Sequence, residues 1–156
     1  MTPAASIRKR GHTPKNWGQS VSLAAGIRLR GLVAPLLLRG SMTGDAFEAY
    51  VEQFVVPSLQ PDDVVLWDNL AAHKRTSVRQ RVESVGAHVV FLPPYSPDTN
   101  PIELAWSKVK TILRSFGARS WDHLLDAVVA ALSAITTTDV ANWFRHCGYQ
   151  PHGKLL

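Results

Sequence analysis

Residues 62–69 read DDVVLWDN, and residues 92–110 read LPPYSPDTNPIELAWSKVK. The first stretch is too short and too rich in β-branched residues for a buried helix, so it predicts a central strand that ends at Asp68. In the second stretch, apolar residues recur at helical spacing after Pro101, a residue type suited to the first position of a helix. Together the two stretches predict an α/β fold with one acid at the end of a strand and another at the start of a helix.

The chain upstream of these stretches begins with a basic segment and an apolar pair of runs. Residues 1–19 contain two Pro and two Gly without a sustained period, which predicts a basic loop or arm. Residues 21–31 and 32–40 are apolar runs hinged at Gly31, and they predict an antiparallel hairpin. Pro35 should lie at a bulge or an edge of that hairpin, because it cannot donate a hydrogen bond to a neighbouring strand.

Helical periodicity accounts for most of the remaining sequence. The predicted elements are a helix from Thr43 to Pro57, a helix over 73–86, a buried strand over 87–93, a helix over 101–116, and two helices near 120–135 and 138–146. The side chains predicted to face the core are Phe47, Tyr50, Val51, Phe54 and Val55, then Val78, Val82 and Val85, then Ile102, Ala105, Trp106, Val109, Ile112, Leu113 and Phe116. This order of elements is typical of an α/β or α+β sandwich.

The composition excludes several classes of protein. The chain has 156 residues, of which 46% are hydrophobic and 19% charged, as expected for one globular domain or part of one. No apolar run approaches the roughly 20 residues needed to cross a bilayer, and the N-terminus lacks the apolar core of a secretory signal. We therefore expect a cytoplasmic protein without a membrane partner. The single Cys147 excludes an internal disulfide and the paired ligands of a zinc finger.

The net charge of +5 is concentrated at one end of the chain. Residues 1–44 carry seven Lys or Arg and no Asp or Glu, whereas residues 45–156 carry ten basic and twelve acidic residues. Such a basic block favours a polyanion such as DNA through phosphate neutralisation, although small basic proteins also use positive charge for solubility alone.

Two carboxylates stand where α/β proteins often place a ligand site. Asp68 follows an apolar strand and precedes Asn69 and His73, and ligand sites of open sheets cluster at the carboxyl ends of strands. Asp68 is also a candidate helix cap, and Glu103 a first-turn acid stabilised by the helix dipole. His73 could orient Asp68, contact a phosphate, or serve as a hydrogen-bonded structural residue.

The combination of WDNLAAHK (67–74), the strand after it, and LPPYSPDTNPIELAWSKVK resembles the catalytic core of bacterial insertion-sequence transposases of the mariner-like DDE superfamily. The likeness runs from about residue 11 to Tyr149. It implies a ribonuclease-H-like fold in which three carboxylates hold two divalent ions, Mg²⁺ or Mn²⁺, that drive DNA strand cleavage and transfer. The second acid of the family corresponds to Asp68 and the third to Glu103, with Asn69, His73 and Asn100 as supporting residues.

Carboxylates at these positions suit that chemistry. Hard oxygen ligands match Mg²⁺, and two ions about 4 Å apart can serve both the attacking and the leaving oxygen at phosphorus. We therefore expect the carboxylates of Asp68 and Glu103 to lie within about 8 Å of each other. Asp98 is an alternative ligand in the same loop, although its place before Asn100 suits a turn. Asp45 is interpreted as a first-turn helix acid.

The sequence departs from the family at its N-terminal end. No Asp or Glu precedes Asp45, so nothing can replace the first acid, and the N-terminal helix-turn-helix region of the family is missing. We therefore expect an N-terminally truncated domain whose sheet lacks its first strand. The predicted division is a basic arm over 1–19, a partial catalytic domain over 20–149 and a tail over 150–156.

Cations in two places are candidates for contact with DNA. They are Arg8, Lys9, Arg10 and Lys15 in the arm, and Lys110 and Arg114, which share one helical face with Glu103. The last two fit an ordinary solvated helix face equally well. Trp106 and Trp143 lie among apolar neighbours and are interpreted as core residues rather than platforms for bases.

Three functions follow from these observations. The chain could be part of a transposase that is active once a longer product or another chain supplies the first acid. It could be an inactive remnant that binds DNA or a full-length transposase, or an unrelated basic α/β binding module. We expect DNA binding to be nonspecific in sequence and sensitive to salt, because the candidate contacts are Lys and Arg to phosphate. A homo-oligomer or an upstream transposase fragment is a possible protein partner, and association with the bacterial nucleoid would follow from DNA binding.

Overall fold

The computed structural model describes residues 20–150 and, for residues 3–5 and 9–10, the backbone. In this part of the chain six strands form one sheet: β1 Pro3–Ala5, β2 Lys9–Arg10, β3 Val21–Arg28, β4 Gly31–Arg39, β5 Val64–Trp67 and β6 His88–Phe91. The strand order is β4, β3, β1, β5, β6. β2 pairs with the same edge of β3 as β1 does, but at the other end of that strand. β5 runs parallel to both β1 and β6, whereas the pairings of β3 are antiparallel.

Helices cover both faces of this sheet. They are α1 Gly44–Tyr50, which continues as a π-helical turn Val51–Val55 and a 3₁₀ turn Val56–Ser58, then α2 Thr76–Glu83, α3 Pro101–Phe116, α4 Trp121–Ser133 and α5 Thr137–His146. Successive residues of a strand point to opposite faces, so Ala24 of β3 packs with α1 and α2 while Ala25 packs with α3 and α5. The sheet thus separates two apolar clusters, and the predicted mixed α/β fold with flanking helices is confirmed.

Local signals in the sequence located most of these elements. The hairpin of β3 and β4 forms as predicted, and Thr43 caps α1 by accepting a hydrogen bond from the N–H of Ala46 at 3.1 Å. The helix α3 has the predicted bounds because Pro101 starts it and Gly117, with φ 54°, ends it in the left-handed conformation that glycine adopts without strain.

The N-terminal segment differs from the prediction. Residues 3–5 and 9–10 are strands rather than loop, and the rest of the 1–19 arm lies outside the described residues. The expectation that the sheet lacks its first strand is also wrong, because the backbone of β1 occupies the central position between β3 and β5. These short strands form because β3 and β5 offer unpaired backbone groups, a cause that the local sequence does not contain.

Three further predictions about burial were wrong. β6 is an edge strand rather than a buried one: within the described sheet it pairs with β5 alone, and Val90 is 47% exposed. Phe54 and Phe116 also remain partly exposed: the ring of Phe54 stacks on that of Tyr50 with its other face outward, and Phe116 is the last residue of α3. Of the tail over 150–156, the described part of the chain includes only Gln150.

The predicted bulge lies in β4. Leu36 is opposite Ala24 and Val33 is opposite Gly26, so two residues, Ala34 and Pro35, stand opposite Ala25 alone. Ala34 has φ 51°, and its carbonyl accepts a hydrogen bond from the hydroxyl of Tyr50 at 2.6 Å. Burial raises the pKa of Tyr50, so this hydroxyl keeps its proton and remains a donor.

No single described helix is long and apolar enough to cross a membrane. The helices α4 and α5 together have sufficient length and composition, but they meet at a bend of 71°.

Candidate active site

A cavity of about 180 Å³ lies at the carboxyl end of β5. Its lining consists of Asp68, Asn69, Leu92, Pro93, Pro94, Tyr95, Ser96, Pro97, Asn100 and Glu103. The two predicted metal-binding carboxylates therefore line the same cavity, one from the end of a strand and one from the first turn of α3. Their separation within about 8 Å remains a prediction.

Asp68 is fixed by contacts from the loop that follows β5. Its Oδ1 lies 2.5 Å from Nδ1 of His73 and accepts a hydrogen bond from the N–H of Leu70 at 3.3 Å. Within the described residues, Oδ2 takes part in no hydrogen bond or ion pair, and the Asp68 side chain is 34% exposed. One oxygen of the carboxylate is thus held by the protein, and the other can take a ligand.

His73 is held against Asp68 by aromatic neighbours. It is 2% exposed, and its ring centroid lies 4.5 Å from that of Phe47 in α1 and 5.9 Å from that of Trp67 in β5. Nδ1 also lies 3.4 Å from the backbone oxygen of Asp68. A buried ring cannot reach a phosphate in solvent without unpacking, so among the three alternatives this geometry favours the orienting and structural ones.

Glu103 owes its position to the start of α3. The side chain of Asn100 is buried and accepts a hydrogen bond from the N–H of Ile102 at 3.4 Å, which satisfies a backbone donor that the helix leaves free. Pro101 occupies the first helical position, and Glu103 is in the first turn, half-buried. The local sequence therefore fixes where α3 begins and puts Glu103 in its first turn.

The other candidate residues are distributed as follows. Asn69 is exposed and Asn100 buried, and both line the cavity. Asp98 is exposed in the 3₁₀ turn Pro97–Thr99 and is not part of the lining, in keeping with a turn residue. Asp45 is in the first turn of α1, 2.7 Å from a guanidinium nitrogen of Arg75.

The candidate DNA contacts are only partly described. Lys110 is half-buried and Arg114 is exposed, and both lie on α3, the helix that carries Glu103. Arg8 and Lys15 lie outside the described residues, and for Lys9 and Arg10 only the backbone in β2 is described.

The two tryptophans pack with the second apolar cluster. Trp106 is 3% exposed and belongs to the cluster formed by β3, α3, α4 and α5. Trp143 is partly buried and packs against the same cluster. Neither ring is presented to solvent as a platform for a base, which agrees with their interpretation as core residues.

The donors around the cavity suit a hard divalent cation. Asp68, Glu103 and Asn69 line it, and oxygen donors of the kind these residues carry are those that Mg²⁺ prefers. Asn100 lines it as well, but its side-chain oxygen already accepts from the N–H of Ile102. Across the described ranges, no group of three or more His, Cys, Asp or Glu is arranged to hold a metal ion. The residues present therefore fit part of a metal site.

Sequence reasoning missed two residues of this region. It gave no role to Tyr95, whose ring is completely exposed at the cavity, and it did not connect Phe47 with His73. An aromatic residue between prolines in residues 93–97 was a usable signal for Tyr95, because a restricted backbone can hold a side chain away from the core. The contact between Phe47 and His73 joins residues far apart in sequence and left no local signal.

Comparisons with known proteins agree with this description. The family described as "DDE superfamily endonuclease" matches residues 4–124. The crystal structure of the catalytic domain of Mos1 mariner transposase is similar with a TM-score of 0.71 and 15% identity, covering 93% of this chain and 74% of that one. The same domain solved with raltegravir and Mg gives a TM-score of 0.72 and 15% identity, covering 93% and 79%.

A further structure, the Mos1 strand transfer complex, gives a TM-score of 0.65 and 16% identity, covering 94% of this chain and 50% of that one. At these identities the likeness establishes the ribonuclease-H-like fold. No curated protein sequence matches the chain significantly.

Proposed function

The chain belongs to the DDE superfamily endonuclease family, and on that premise we propose that it is a transposase catalytic domain, of bacterial insertion-sequence type, that acts in DNA strand cleavage and strand transfer. The observation that carries the proposal is that Asp68 and Glu103 line one cavity. The resemblance of their two motifs to the second and third acids of the family gives each carboxylate its role.

In this proposal Asp68 and Glu103 hold divalent cations, Mg²⁺ or Mn²⁺, with two ions in a complete site. Bound there, the ions would activate a water or a DNA 3′-hydroxyl and stabilise the leaving oxygen. His73 orients Asp68 through Oδ1 and leaves Oδ2 for the cation, while Asn100 fixes the helix turn that carries Glu103. Mos1 structures solved with Mg and with Mn support this choice of ions.

We propose further that this site is incomplete in the chain of 156 residues. No Asp or Glu occurs in residues 1–44, so β1 brings no carboxylate to the centre of the sheet beside β5. The third ligand would come from a longer product or from another chain. Fewer anionic ligands weaken Mg²⁺ binding, because this ion gives up its water reluctantly.

A second candidate function is that of an inactive remnant that binds DNA or a full-length transposase. It is favoured by the absence, in the described residues, of a group of three metal-binding side chains, together with the seven Lys or Arg in residues 1–44. The cations proposed to contact DNA phosphates in either case are Arg8, Lys9, Arg10, Lys15, Lys110 and Arg114. Structures of Mos1 paired-end complexes support DNA as the partner, and we place the protein in the cytoplasm, on the nucleoid when DNA is bound.

Metal binding tests the site directly. Titration with Mn²⁺, followed by electron paramagnetic resonance, should show that the unchanged chain binds the ion. Asp68→Asn and Glu103→Gln should each weaken this binding by more than roughly 10- to 100-fold, which is the loss usual for a residue that only supports a metal ligand. Asp98→Asn is the matched control, since this exposed carboxylate is near the cavity but not in its lining. Equal Mn²⁺ affinity in all four proteins would refute the assignment.

Cleavage tests whether the site is complete. The 156-residue chain should neither nick nor join its element's ends with Mg²⁺ or Mn²⁺, whereas an upstream-extended chain in which a strand ending in Asp takes the place of β1 should do so. Failure of the extended chain would favour the inactive remnant. Metal-dependent cleavage by the 156-residue chain, abolished by Asp68→Ala, would show that another acid completes the site, and Asp98 and Asp45 would be tested next.

A further inference from the structure

The residues that follow α5 reach back to the start of α3. The hydroxyl of Tyr149 donates a hydrogen bond to the backbone carbonyl of Thr99 at 2.8 Å, although 50 positions separate the two residues. Tyr149 lies beyond residues 4–124, the part of the chain that the DDE family matches. The contact therefore joins the segment after α5 to the turn that precedes Glu103.

The end of α5 brings Tyr149 into this position. Gly148, with φ 89°, takes the left-handed conformation, and its N–H donates to the carbonyl of Arg145 at 3.0 Å. The N–H of Tyr149 donates to the carbonyl of Phe144 at 2.9 Å, and the two rings meet edge to face with their centroids 6.0 Å apart. These contacts form a Schellman motif with its apolar pair, which ends the helix and reverses the chain.

The peptide between Thr99 and Asn100 is bound on both sides. Its carbonyl accepts from Tyr149, and its N–H, which belongs to Asn100, donates to the carbonyl of Pro97 at 3.1 Å. Because a peptide unit is planar and rigid, these two bonds fix its orientation. Burial raises the pKa of Tyr149, so the hydroxyl keeps its proton at neutral pH and remains a donor.

Asn100 connects this peptide to Glu103. Its backbone carbonyl accepts from the N–H of Glu103 at 3.1 Å, and its side chain accepts from the N–H of Ile102 at 3.4 Å. The first turn of α3 therefore takes its position from Asn100. The orientation of Asn100 depends in turn on the peptide that Tyr149 binds.

We infer that Tyr149 is a positioning residue for Glu103: its hydroxyl holds the turn that sets this carboxylate at the cavity. The inference rests on the proposed function, in which Glu103 is a metal ligand. Binding of a cation by Glu103 requires the ordered turn, and the apparent affinity falls in proportion to the fraction of molecules in which the turn is ordered. Removal of the Tyr149 hydroxyl should lower that fraction.

The test compares Tyr149→Phe with Tyr50→Phe. Each variant keeps an aromatic ring and removes a hydroxyl that donates to a backbone carbonyl, that of Thr99 in the first case and that of Ala34 in the second. Tyr149→Phe should weaken Mn²⁺ binding by about 2- to 10-fold, which corresponds to the roughly 0.5–1.5 kcal/mol of a net hydrogen bond. Tyr50→Phe should lower the thermal midpoint but leave the Mn²⁺ affinity unchanged.

A second measurement involves no metal. In buffer with EDTA, hydrogen exchange of the Ile102 and Glu103 amides is followed by nuclear magnetic resonance. Exchange should be about 2- to 10-fold faster in Tyr149→Phe than in the unchanged chain, because the turn opens more often without the hydrogen bond. Tyr50→Phe should leave the exchange of these two amides unchanged.

The turn at the end of α5 offers an independent variant. Gly148→Ala places a side chain at φ 89° in open space, so it strains the turn that carries Tyr149 without creating a clash. It should weaken Mn²⁺ binding by itself but add little to the loss in Tyr149→Phe, because both changes act through one contact. Gly117→Ala strains the end of α3 in a similar way and is the control, with no change expected in Mn²⁺ affinity.

The outcomes separate this inference from the proposed function. If Glu103→Gln weakens Mn²⁺ binding but Tyr149→Phe does not, the inference is refuted and the proposed function stands. An equal loss of affinity in Tyr50→Phe would assign the effect to global stability and also overturn the inference. If Glu103→Gln leaves Mn²⁺ binding unchanged, the proposed function fails, and amide exchange alone decides whether Tyr149 holds the turn. Equal exchange in Tyr149→Phe and the unchanged chain refutes the inference in either case.

Discussion

The strand β5 has an acid beside each of its ends, and the two acids are held in opposite ways. At the amino end, Asp63 forms an ion pair with Arg28 and accepts a hydrogen bond from the N–H of Gln60 at 2.8 Å, and its side chain is only 8% exposed. At the carboxyl end, Asp68 is 34% exposed, lines the cavity, and is held by His73 and the N–H of Leu70.

The difference shows how a structural acid is distinguished from a candidate functional one. The charge of Asp63 is compensated by the guanidinium of Arg28 in β3, and the same carboxylate accepts from the N–H of Gln60 in the loop before β5. The contacts of Asp68 come from residues within the next five positions and leave one oxygen towards a cavity. Asp63 therefore serves the fold, and Asp68 is available for a ligand.

The largest effect expected is on stability and concerns Asp63. Asp63→Ala should lower the free energy of unfolding by about 3–5 kcal/mol, because it leaves the largely buried Arg28 charge without its partner. Asp68→Asn should change the free energy of unfolding by no more than about 1 kcal/mol, since the half-exposed amide can still accept from Leu70. Urea denaturation measures both, and a greater loss for Asp68→Asn would reverse the comparison.

The next effect concerns the support of Asp68. His73→Ala should weaken Mn²⁺ binding by about 10- to 100-fold, the usual consequence of losing a partner that orients a metal ligand. His73→Asn should recover part of the affinity, because its amide can donate from near the position of Nδ1. His88→Ala, which removes an exposed histidine of β6, is the control, and affinities are compared only for protein shown to be folded by circular dichroism. Equal affinity in His73→Ala and the unchanged chain would leave His73 with a purely structural role.

A smaller effect is expected at Glu103, whose support is local. Asn100→Ala removes the cap of α3 and should cost about 1 kcal/mol of stability, whereas Asn100→Asp should retain the cap. Ser120→Ala removes the corresponding cap of α4 and is the matched control. Both Ala variants should lower the thermal midpoint, but only Asn100→Ala should also weaken Mn²⁺ binding. If Ser120→Ala weakened it equally, the effect would be one of global stability.

The smallest effect is the dependence of stability on pH. Burial alone would raise the pKa of the Asp63 carboxyl, but hydrogen bonds from Arg28 and the Gln60 N–H, with the charge of Arg28, outweigh it and lower the pKa. A lowered pKa in the folded state gives stability that is present above the unfolded value of about 3.9 and is lost as the pH falls through the folded value.

Urea denaturation between pH 5 and pH 3 should therefore show this loss in the unchanged chain and a weaker loss in Asp63→Asn. Some acid dependence should remain in the variant. Its source is Asp139, whose pKa is lowered by hydrogen bonds from Lys108 and the Thr136 N–H. Identical pH profiles in the two proteins would mean that the ion pair of Asp63 with Arg28 contributes nothing to the pH dependence of the free energy of unfolding.

Sequence patterns predicted the parts of this structure that depend on near neighbours. Asn100, Pro101 and Gly117 fix both ends of α3 through caps and backbone preferences, so the position of Glu103 could be predicted. The hydrophobic run of β5 likewise located Asp68 at a strand end. The roles of these two acids came from the resemblance of their motifs to a family rather than from the pattern of residues.

The features that escaped prediction depend on distant parts of the chain. β1 is a strand because β3 and β5 stand on either side of it, although its sequence of Pro-Ala-Ala has little tendency towards strand. The apolar run of β6 suggested a buried strand, but burial requires a further neighbour that the described sheet does not provide. The contact of Phe47 with His73 depends in the same way on where α1 packs.

The bulge in β4 has a consequence for how the protein behaves at high concentration. β4 is the longest strand of the described sheet, and its outer edge would be a natural template for a strand from another molecule. Pro35 offers no N–H at the middle of that edge, and the carbonyl of Ala34 is already bound by Tyr50. An incoming strand can therefore pair only with the short segments 31–33 and 36–39 on either side of the bulge. This interruption disfavours aggregation through the outer edge of β4.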